Sequence, residues 1–166
     1  ALSENNARVF RPVKPADIEL ICEIAVKAWQ PIFASYRRML GDELFEALHT
    51  GWEARKANQV RQAALRQPDC VYVTEVDGAT VGFTTFHVDE NTRLGTIGNN
   101  AVDPDCQSRG VGSFQHEQVL ELMRQRGMRF AKVTTGLDEG HAPARRSYEK
   151  AGFDRSTPDV TYYRHL

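Results

Sequence analysis

The stretch from Gln107 to Gly112, QSRGVG, leads from an apolar run into a helix that we predict from about Val111 to Arg126. Two glycines, Gly110 and Gly112, stand where that helix begins. Glycine lets the backbone approach an anion closely, and the unpaired N–H groups of a helix N-terminus attract negative charge. With the cationic Arg109 beside them, these residues are suited to bind a phosphate or pyrophosphate.

The glycine pattern matches neither of two common phosphate-binding motifs. No Lys-Ser or Lys-Thr pair follows Gly112, as a P-loop requires, and the dinucleotide-binding GxGxxG spacing is absent. A glycine-rich helix entry that binds nothing is the competing interpretation. Cys106 adjoins the stretch, but no base lies nearby in sequence, and a buried structural thiol is the more common case.

On either side of this stretch, apolar residues recur with the helical period in some segments and with the strand period in others. Ile18 to Trp29 shows one buried helical face, and Asp77-Gly78 separates two β-branched runs as a tight hairpin does. The strands predicted are Arg8–Val13, the two runs of that hairpin, Leu94–Val102, a run from Arg129 to Thr135 and a last one at Thr161–Leu166; the other helices predicted are Leu44–Leu48, Trp52–Arg66 and Pro143–Ala151.

This order of elements favours an α/β or α+β fold with a mixed sheet. Within the strand Leu94–Val102, Gly95, Gly98 and the Asn99-Asn100 pair are unusual residues. Such residues weaken a strand and often mark a bulge or a close backbone approach. The sequence therefore predicts an irregular strand directly before the QSRGVG stretch.

Length, charge and cysteine content narrow the classes of protein to which this chain can belong. The chain has 166 residues and a net charge of −1, so we expect one domain over 1–166 and no nucleic-acid or membrane partner. No apolar stretch is long enough to span a bilayer, and the N-terminal residues do not resemble a signal peptide. Cys22, Cys70 and Cys106 show no metal or disulfide spacing, which predicts a cytoplasmic protein without a metal site.

Two separated motifs resemble those of the GNAT superfamily, the acyl-CoA N-acyltransferases. Val102-Asp-Pro104 followed by Gln107-x-x-Gly110-x-Gly112 resembles the V-x-P…Q/R-x-x-G-x-G/A signature. The segment from Ala144 to Phe153 resembles the family's A-x-x-x-Y-x-x-x-G-F ending. The resemblance implies a mixed, mostly antiparallel central sheet flanked by helices, and transfer of an acetyl group from acetyl-CoA to a primary amine in a ternary complex.

The resemblance also implies the residues of the cofactor site. The amides of the QSRGVG stretch would hold the pyrophosphate, and the backbone near Val102 would face the thioester and supply an oxyanion donor. His141 stands where the family commonly has an asparagine that contacts the cofactor. The cofactor-binding residues expected are Ala101, Val102, Gln107, Ser108, Arg109, Gly110, Val111, Gly112, Ser113 and His141.

Tyr148 is the catalytic residue that the resemblance implies, as a donor to the leaving thiolate. On helical spacing alone, a core tyrosine with a backbone partner is the alternative. A tyrosine has a pKa of about 10 and a thiol one of about 8.5, so full proton transfer to the thiolate is uphill and a strong hydrogen bond is more plausible.

The base that accepts the amine's proton is left open. Some members of the family carry a glutamate on the strand before the loop, where this chain has Thr96. The candidates are His87, Glu75, Asp89, Glu90 and a water held by Asn99. The histidines His49, His116 and His165 show no metal-ligand spacing, and we interpret them as structural.

The acceptor is the least determined part of the site. Aromatic residues able to line its cleft are Trp29, Phe33, Tyr36, Tyr162 and Tyr163. The sequence does not choose among a polyamine, an antibiotic, an amino acid, a peptide N-terminus and a lysine. A homodimer is expected from the family, and a non-catalytic acyl-CoA-binding domain, or a structural protein without a ligand, remains an alternative.

Overall fold

A computed structural model describes residues 7–107 and 110–166 of the chain. The strands are β1 (Arg8–Pro12), β2 (Val71–Val76), β3 (Ala79–Asp89), β4 (Leu94–Val102) and β5 (Phe130–Val133). The helices are α1 (Ile18–Leu40), α2 (Asp42–His49), α3 (Trp52–Arg66), α4 (Val111–Gln125) and α5 (Ala142–Lys150).

The strands form one mixed sheet in chain order, β1-β2-β3-β4-β5. The first three pairings are antiparallel, and β4 pairs with β5 in parallel. At the β2–β3 turn, Asp77 and Gly78 both have positive φ, 52° and 83°, as a type I′ hairpin requires. The expected mixed, mostly antiparallel sheet flanked by helices is confirmed.

Two apolar clusters hold helices against the sheet. One joins α1 and α3 to β2, β3 and Ala101, with Ile21, Ile24 and Val60 fully buried. The other joins α4 to β3 and β4 through Phe86, Ile97, Val119 and Met123. Helix α1 continues past Pro31 to Leu40, beyond the predicted Trp29. No helix among the described residues is long and apolar enough to cross a membrane.

The two unusual glycines of β4 have the predicted structural roles. The pairing of β3 with β4 shifts register so that Gly98 is the extra residue between Ile97 and Asn99, which is a bulge. At Gly95, a Cβ would meet the Met123 side chain at 2.5 to 3.1 Å, so only glycine lets α4 pack this closely. The irregularity predicted for this strand is confirmed.

The last predicted strand, Thr161–Leu166, is wrong in this structure, where the residues after Gly152 form neither helix nor strand. Tyr162 is 91% exposed, and His165 lies 3.5 Å from Glu43 of α2 instead of joining the sheet. An alternating apolar pattern forms a strand only where an edge of a sheet accepts it. The segment makes no such pairing, although the edge of β5 is unpaired within the described chain.

Candidate functional site

The parallel strands β4 and β5 are paired only over the first part of β4, and we refer to the gap beyond their last pair as the opening. The pairing of β4 with β5 ends at Ile97 and Val133, while β4 continues to Val102 along β3 alone. The chain after β5 leads away toward α1, and the buried hydroxyl of Thr135 has no hydrogen-bond partner there. Crevices beyond the carboxyl ends of parallel strands are common ligand sites. The end of β4 therefore borders the opening on one side, and the segment between β5 and α5 borders it on the other.

The N-terminus of α4 borders the end of β4. Gly110 has φ +72°, and its carbonyl accepts the first bond of the helix, from Phe114 N at 3.1 Å. The N–H groups of Val111 to Ser113 precede that bond, so they have no partner within the helix. A Cβ placed on Gly112 would meet no atom within 4 Å. The helix thus begins with backbone donors that have no intrahelical partner, as an anion site requires, and the space at Gly112 is open.

The residues before this helix fix its position against β4. Gln107 Nε2 donates to the carbonyl of Val102 at 3.4 Å. Val111 is buried in a small cluster with Val81 and Val102, and Cys106 packs against it as a structural thiol. Ser108 and Arg109, both expected to bind cofactor, lie outside the described residues.

Arg8 of β1 is a cation at this end of the site that the sequence analysis missed. Its guanidinium nitrogens lie 3.5 Å from the position that a Cβ on Gly110 would occupy. Arg8 is distant in sequence from the glycine stretch, and only the sheet brings β1 to this end of the fold. It adds positive charge beside the helix N-terminus.

A buried polar network ties β4 to α4 and α5. Asn100 accepts from Gln115 Nε2 at 2.9 Å and from the Thr84 hydroxyl at 2.8 Å. Its amide nitrogen donates to Nε2 of His116 at 2.8 Å, so His116 Nδ1 carries the proton and donates to the Ser147 hydroxyl at 3.2 Å. Burial lowers the pKa of His116, which favours the neutral ring. Both ring nitrogens are occupied, in agreement with a structural histidine.

Tyr148 of α5 packs against His116, whose ring is bonded to Asn100 of β4. The Tyr148 ring lies 4.9 Å from that of His116 and 5.7 Å from that of Phe153, between centroids. Burial raises the pKa of Tyr148 to about 12. Its hydroxyl has no hydrogen-bond partner in the part of the chain that the structure describes. Tyr148 is therefore not a core tyrosine whose hydroxyl bonds to the backbone.

His141, immediately before α5, is held by Asp138. Its Nδ1 lies 2.6 Å from Asp138 Oδ1, and the two side chains are 12% and 6% exposed. Burial raises the pKa of Asp138, but hydrogen bonds from His141 and Ser35 outweigh burial, and the net shift is downward. This pair was not foreseen, because Asp138 lies in a loop without a recognisable pattern.

Lys56 of α3 is a second residue that the sequence analysis missed. Its Nζ lies 3.6 Å above the Trp29 ring and donates to Asn99 Oδ1 at 2.6 Å and to Gln59 Oε1 at 3.0 Å. Burial lowers the pKa of Lys56 to about 8. The sequence did indicate that Lys56 is buried, since it lies four residues from both Trp52 and Val60, on the buried face of the helix.

An aromatic cluster continues from Trp29 along α1. Phe33 stacks on Trp52 with 4.0 Å between centroids and contacts the edges of Tyr36 and His49 at 5.6 and 5.4 Å. Of the five aromatic residues expected in the cleft, the structure thus groups Phe33 and Tyr36, with Trp29 a turn away. Tyr162 and Tyr163 are exposed, but Tyr163 lies near Tyr36: burial raises the pKa of Tyr36, and the charges of Asp138 and Tyr163 raise it further.

Four of the base candidates named from the sequence are paired with other residues or exposed, namely Glu75, Asp89, Glu90 and His87. Glu90 lies in the turn after β3. Asp89 accepts from Asn91 N and Thr92 in its own turn, and Glu75 pairs with Arg11. His87 is exposed, opposite Thr96 on the hairpin. Asn99 reaches the site, but its amide is already bonded to Lys56 and to the Thr85 hydroxyl. Among the described residues, no cluster of three or more His, Cys, Asp or Glu side chains is arranged to hold a metal.

Comparison with known families supports the fold and the motifs. Residues 29–153 match the sequence profile described as the Acetyltransferase (GNAT) family. The chain is also similar in structure to an N-acetyltransferase from Thermoplasma acidophilum in complex with coenzyme A, with a TM-score of 0.72 and 15% identity over 92% of this chain and 93% of that one. At that identity the structural likeness concerns the fold.

Curated relatives are similar in sequence at moderate identity. A mycothiol acetyltransferase from Stackebrandtia nassauensis is 31% identical over 70% of this chain and 39% of its own length. An S-(2-succino)cysteine N-acetyltransferase from Bacillus subtilis is 26% identical over 89% of this chain and 84% of its own length. The chain thus spans well under half of the first of these relatives.

Proposed function

The chain belongs to the GNAT acetyltransferase family, and from this premise we propose that it is an acetyl-CoA-dependent N-acetyltransferase with a single domain over 1–166. The observation that carries the proposal is the opening between β4 and β5, bordered by the N-terminus of α4. An elongated cofactor fits there with its phosphates on the helix amides and its acyl end at β4. The acetyl group would pass directly to a bound amine.

The cofactor site would be built mostly from backbone. The N–H groups of Val111, Gly112 and Ser113 would hold the pyrophosphate, with positive charge added by Arg8 and Arg109. The end of β4 would run beside the pantetheine. The full proposed set is Ala101, Val102, Gln107, Ser108, Arg109, Gly110, Val111, Gly112, Ser113 and His141, together with Arg8.

Two donors would act on the reacting thioester. A backbone N–H near Val102 would stabilise the negative charge that develops on the carbonyl oxygen. The unpartnered hydroxyl of Tyr148 would donate to the leaving sulfur. Since the pKa of Tyr148 is raised to about 12, the hydroxyl stays protonated at neutral pH and stabilises the thiolate by a hydrogen bond without giving up its proton.

We propose that the acceptor is the α-amine of an amino-acid derivative or of a peptide end. The relative that acts on S-(2-succino)cysteine acetylates such a nitrogen, and its similarity covers most of both chains. The α-amine of a peptide end has a pKa of about 7.7–8.0, against about 10.4 for a lysine, so more of it is neutral and able to attack. The aromatic cluster of Phe33, Tyr36 and Trp52 offers an apolar wall for the acceptor's side chain.

We also propose a cytoplasmic homodimer. The described cysteines are free, which fits a reducing compartment. The edge of β5 is unpaired in the described sheet, Phe130 is 60% exposed, and a groove of about 490 Å³ runs along this edge beside α4. An exposed strand edge pairs readily with another chain. Light scattering on the purified protein should give the mass of a dimer, and a monomer at high concentration would contradict this.

The activity is tested by CoA thiol release from acetyl-CoA with a panel of amines. The panel contains S-(2-succino)-L-cysteine, S-carboxymethyl-L-cysteine and an alanine-starting peptide, with spermidine, Nα-acetyl-lysine and Nα-acetyl-S-carboxymethylcysteine as controls. We expect release that depends on a free α-amine. Acetyl-CoA binding without any amine-dependent release would favour the non-catalytic acyl-CoA-binding domain, and no binding at all would refute the cofactor site.

A further inference from the structure

We propose that His141, held by Asp138, is the base that takes the proton from the acceptor's ammonium group. The inference rests on the proposed acetyl transfer and supplies the residue for which the sequence gave only alternatives. It assigns the side chain a second role beside the cofactor contact at the same position.

The carboxylate of Asp138 is fully engaged in holding the ring. Oδ1 lies 2.6 Å from His141 Nδ1, and Oδ2 accepts from Gly140 N at 2.9 Å. The hydroxyl of Ser35, buried on α1, bonds to the same carboxylate. Since a carboxylate only accepts, Nδ1 carries the proton of the neutral ring and Nε2 keeps its lone pair. The pair therefore presents a basic nitrogen in one fixed tautomer.

The loop around the pair is built to hold it in place. A Cβ on Gly136 would overlap Asp138 Oδ1 and His141 Nδ1, so only glycine lets the backbone pass there. Arg145 donates to the carbonyls of Gly136 at 2.6 Å and of Asp138 at 2.8 Å. A base must keep its orientation while a proton moves, and these contacts provide that rigidity.

The second ring nitrogen of His141, Nε2, is free to act in the described part of the chain, and the ring stands beside the aromatic cluster of α1. Nε2 has no hydrogen-bond partner in residues 7–107 and 110–166, and it is not a buried atom. The ring lies 6.0 Å from that of Tyr36, at the end of the aromatic cluster. His141 caps α5 in a helical conformation, and Tyr148 follows it by seven residues, about two helical turns, so the two positions are nearly in line along the helix axis. The two residues that carry the unpartnered polar atoms, His141 and Tyr148, thus belong to one face.

The proton balance of the reaction fits this placement. The acceptor enters as R–NH₃⁺ and gives one proton to Nε2, which leaves an imidazolium paired with the Asp138 carboxylate. The neutral amine attacks the acetyl carbon, the C–N bond forms, and the C–S bond breaks. The second amine proton leaves with the CoA thiol, whose sulfur Tyr148 stabilises, and His141 releases its proton to water.

The kinetic test uses His141→Asn, which restores the residue common in the family. If His141 serves only as a cofactor contact, this variant keeps its activity. If His141 is the base, kcat/KM for S-carboxymethyl-L-cysteine falls by about 100- to 1000-fold while the Kd for acetyl-CoA stays within about threefold. His87→Asn, the same exchange at an exposed histidine away from the opening, should change neither value. Added imidazole should restore part of the turnover of His141→Ala.

Asp138→Asn tests the orientation of the ring. It should lower kcat by about 10- to 100-fold, since the amide no longer enforces the Nδ1–H tautomer. The tautomer itself is read by NMR of ¹⁵N-labelled histidine, with His141→Asn identifying the signal. We expect a protonated Nδ1 and an unprotonated Nε2 in the wild type, and a change in Asp138→Asn.

The outcomes separate the two proposals. If the wild type acetylates an amine and His141→Asn keeps that activity, His141 is not the base, but the proposed acetyltransferase function stands. A protonated Nε2 in the neutral wild-type ring also overturns the assignment of His141 as the base. Failure of the wild type to acetylate any amine of the panel overturns the proposed function, and the base falls with it.

Discussion

The two sides of the opening are built from different parts of the polypeptide. On the proposed cofactor side, the candidate contacts come mainly from backbone amides in one short stretch at the start of α4. On the acceptor side, they come from side chains on α1, α3, β4 and the loop before α5. The first side requires that no large or negatively charged side chain at Gly110 or Gly112 covers these amides. The second depends on particular side chains such as Lys56 and His141, each fixed by a partner on another element.

This difference predicts different responses to substitution. Bulk or negative charge at the glycines should abolish cofactor binding, whereas side-chain exchanges around the acceptor should change turnover and leave cofactor affinity intact. That separation is tested by substitutions at Gly112, Tyr148, Arg8 and Lys56.

Gly112→Asp should weaken acetyl-CoA binding by about 100-fold or more, because it places a negative charge beside the pyrophosphate. The fold should tolerate it, since a Cβ at this position meets no atom within 4 Å. Gly112→Ala is the matched control and should bind acetyl-CoA normally. Calorimetric titration measures both, and tight binding by Gly112→Asp would remove the helix N-terminus from the cofactor site.

Tyr148→Phe should lower kcat by about 10- to 100-fold, because it removes a hydrogen bond to a charged sulfur and such a bond contributes about that factor to the rate. Because the hydroxyl has no partner in the described protein, its removal leaves no buried group unsatisfied, and the melting temperature should hold. Acetyl-CoA affinity should change little. Unchanged kcat in stopped assays of thiol release would exclude Tyr148 from the reaction.

Arg8→Gln should weaken acetyl-CoA binding by about fivefold or less at low ionic strength, as expected for an exposed cation. The loss should shrink as salt screens the charge. Titrations at two salt concentrations measure this. An equal loss at both would show that Arg8 acts by packing and not by its charge.

Lys56→Met should leave cofactor affinity unchanged and alter the pH dependence of stability. The pKa of Lys56 is about 8 when folded and 10.5 ordinarily, so between these values the unfolded chain binds more protons and wild-type stability rises with pH. The rise amounts to at most about 3 kcal/mol. Urea unfolding at pH 7 and pH 10 should show it in the wild type and not in the variant. Equal slopes would contradict the burial of this cation.

The cofactor side could be predicted from sequence because its determinants are contiguous. The glycines, the following helix and the weak residues of Leu94–Val102 lie within a few turns of one another, and local backbone rules describe them. The hairpin at Asp77-Gly78 was predictable for the same reason. The start of α4, the bulge at Gly98 and the hairpin have the bounds or backbone conformations that the sequence predicted, while the role of the glycines in cofactor binding stays a prediction.

The acceptor side could not be predicted because tertiary contacts create it. Asp138 holds His141 only because Gly136 lets the loop fold tightly and Ser35 of α1 lies against it. Lys56 becomes a desolvated cation only when Trp29 and Asn99 cover it. The C-terminal strand failed for a related reason, since the pattern of Thr161–Leu166 carries no information on whether a sheet edge receives it.

A crystal structure of the protein with acetyl-CoA bound tests whether the cofactor lies between the start of α4 and the end of β4. The account predicts pyrophosphate oxygens about 3 Å from the N–H groups of Val111 to Ser113. It also predicts the thioester between the end of β4 and Tyr148, with His141 Nε2 facing the acetyl carbon from the acceptor side. Acetyl-CoA bound away from the start of α4, or an acetyl group out of reach of both Tyr148 and His141, would contradict it.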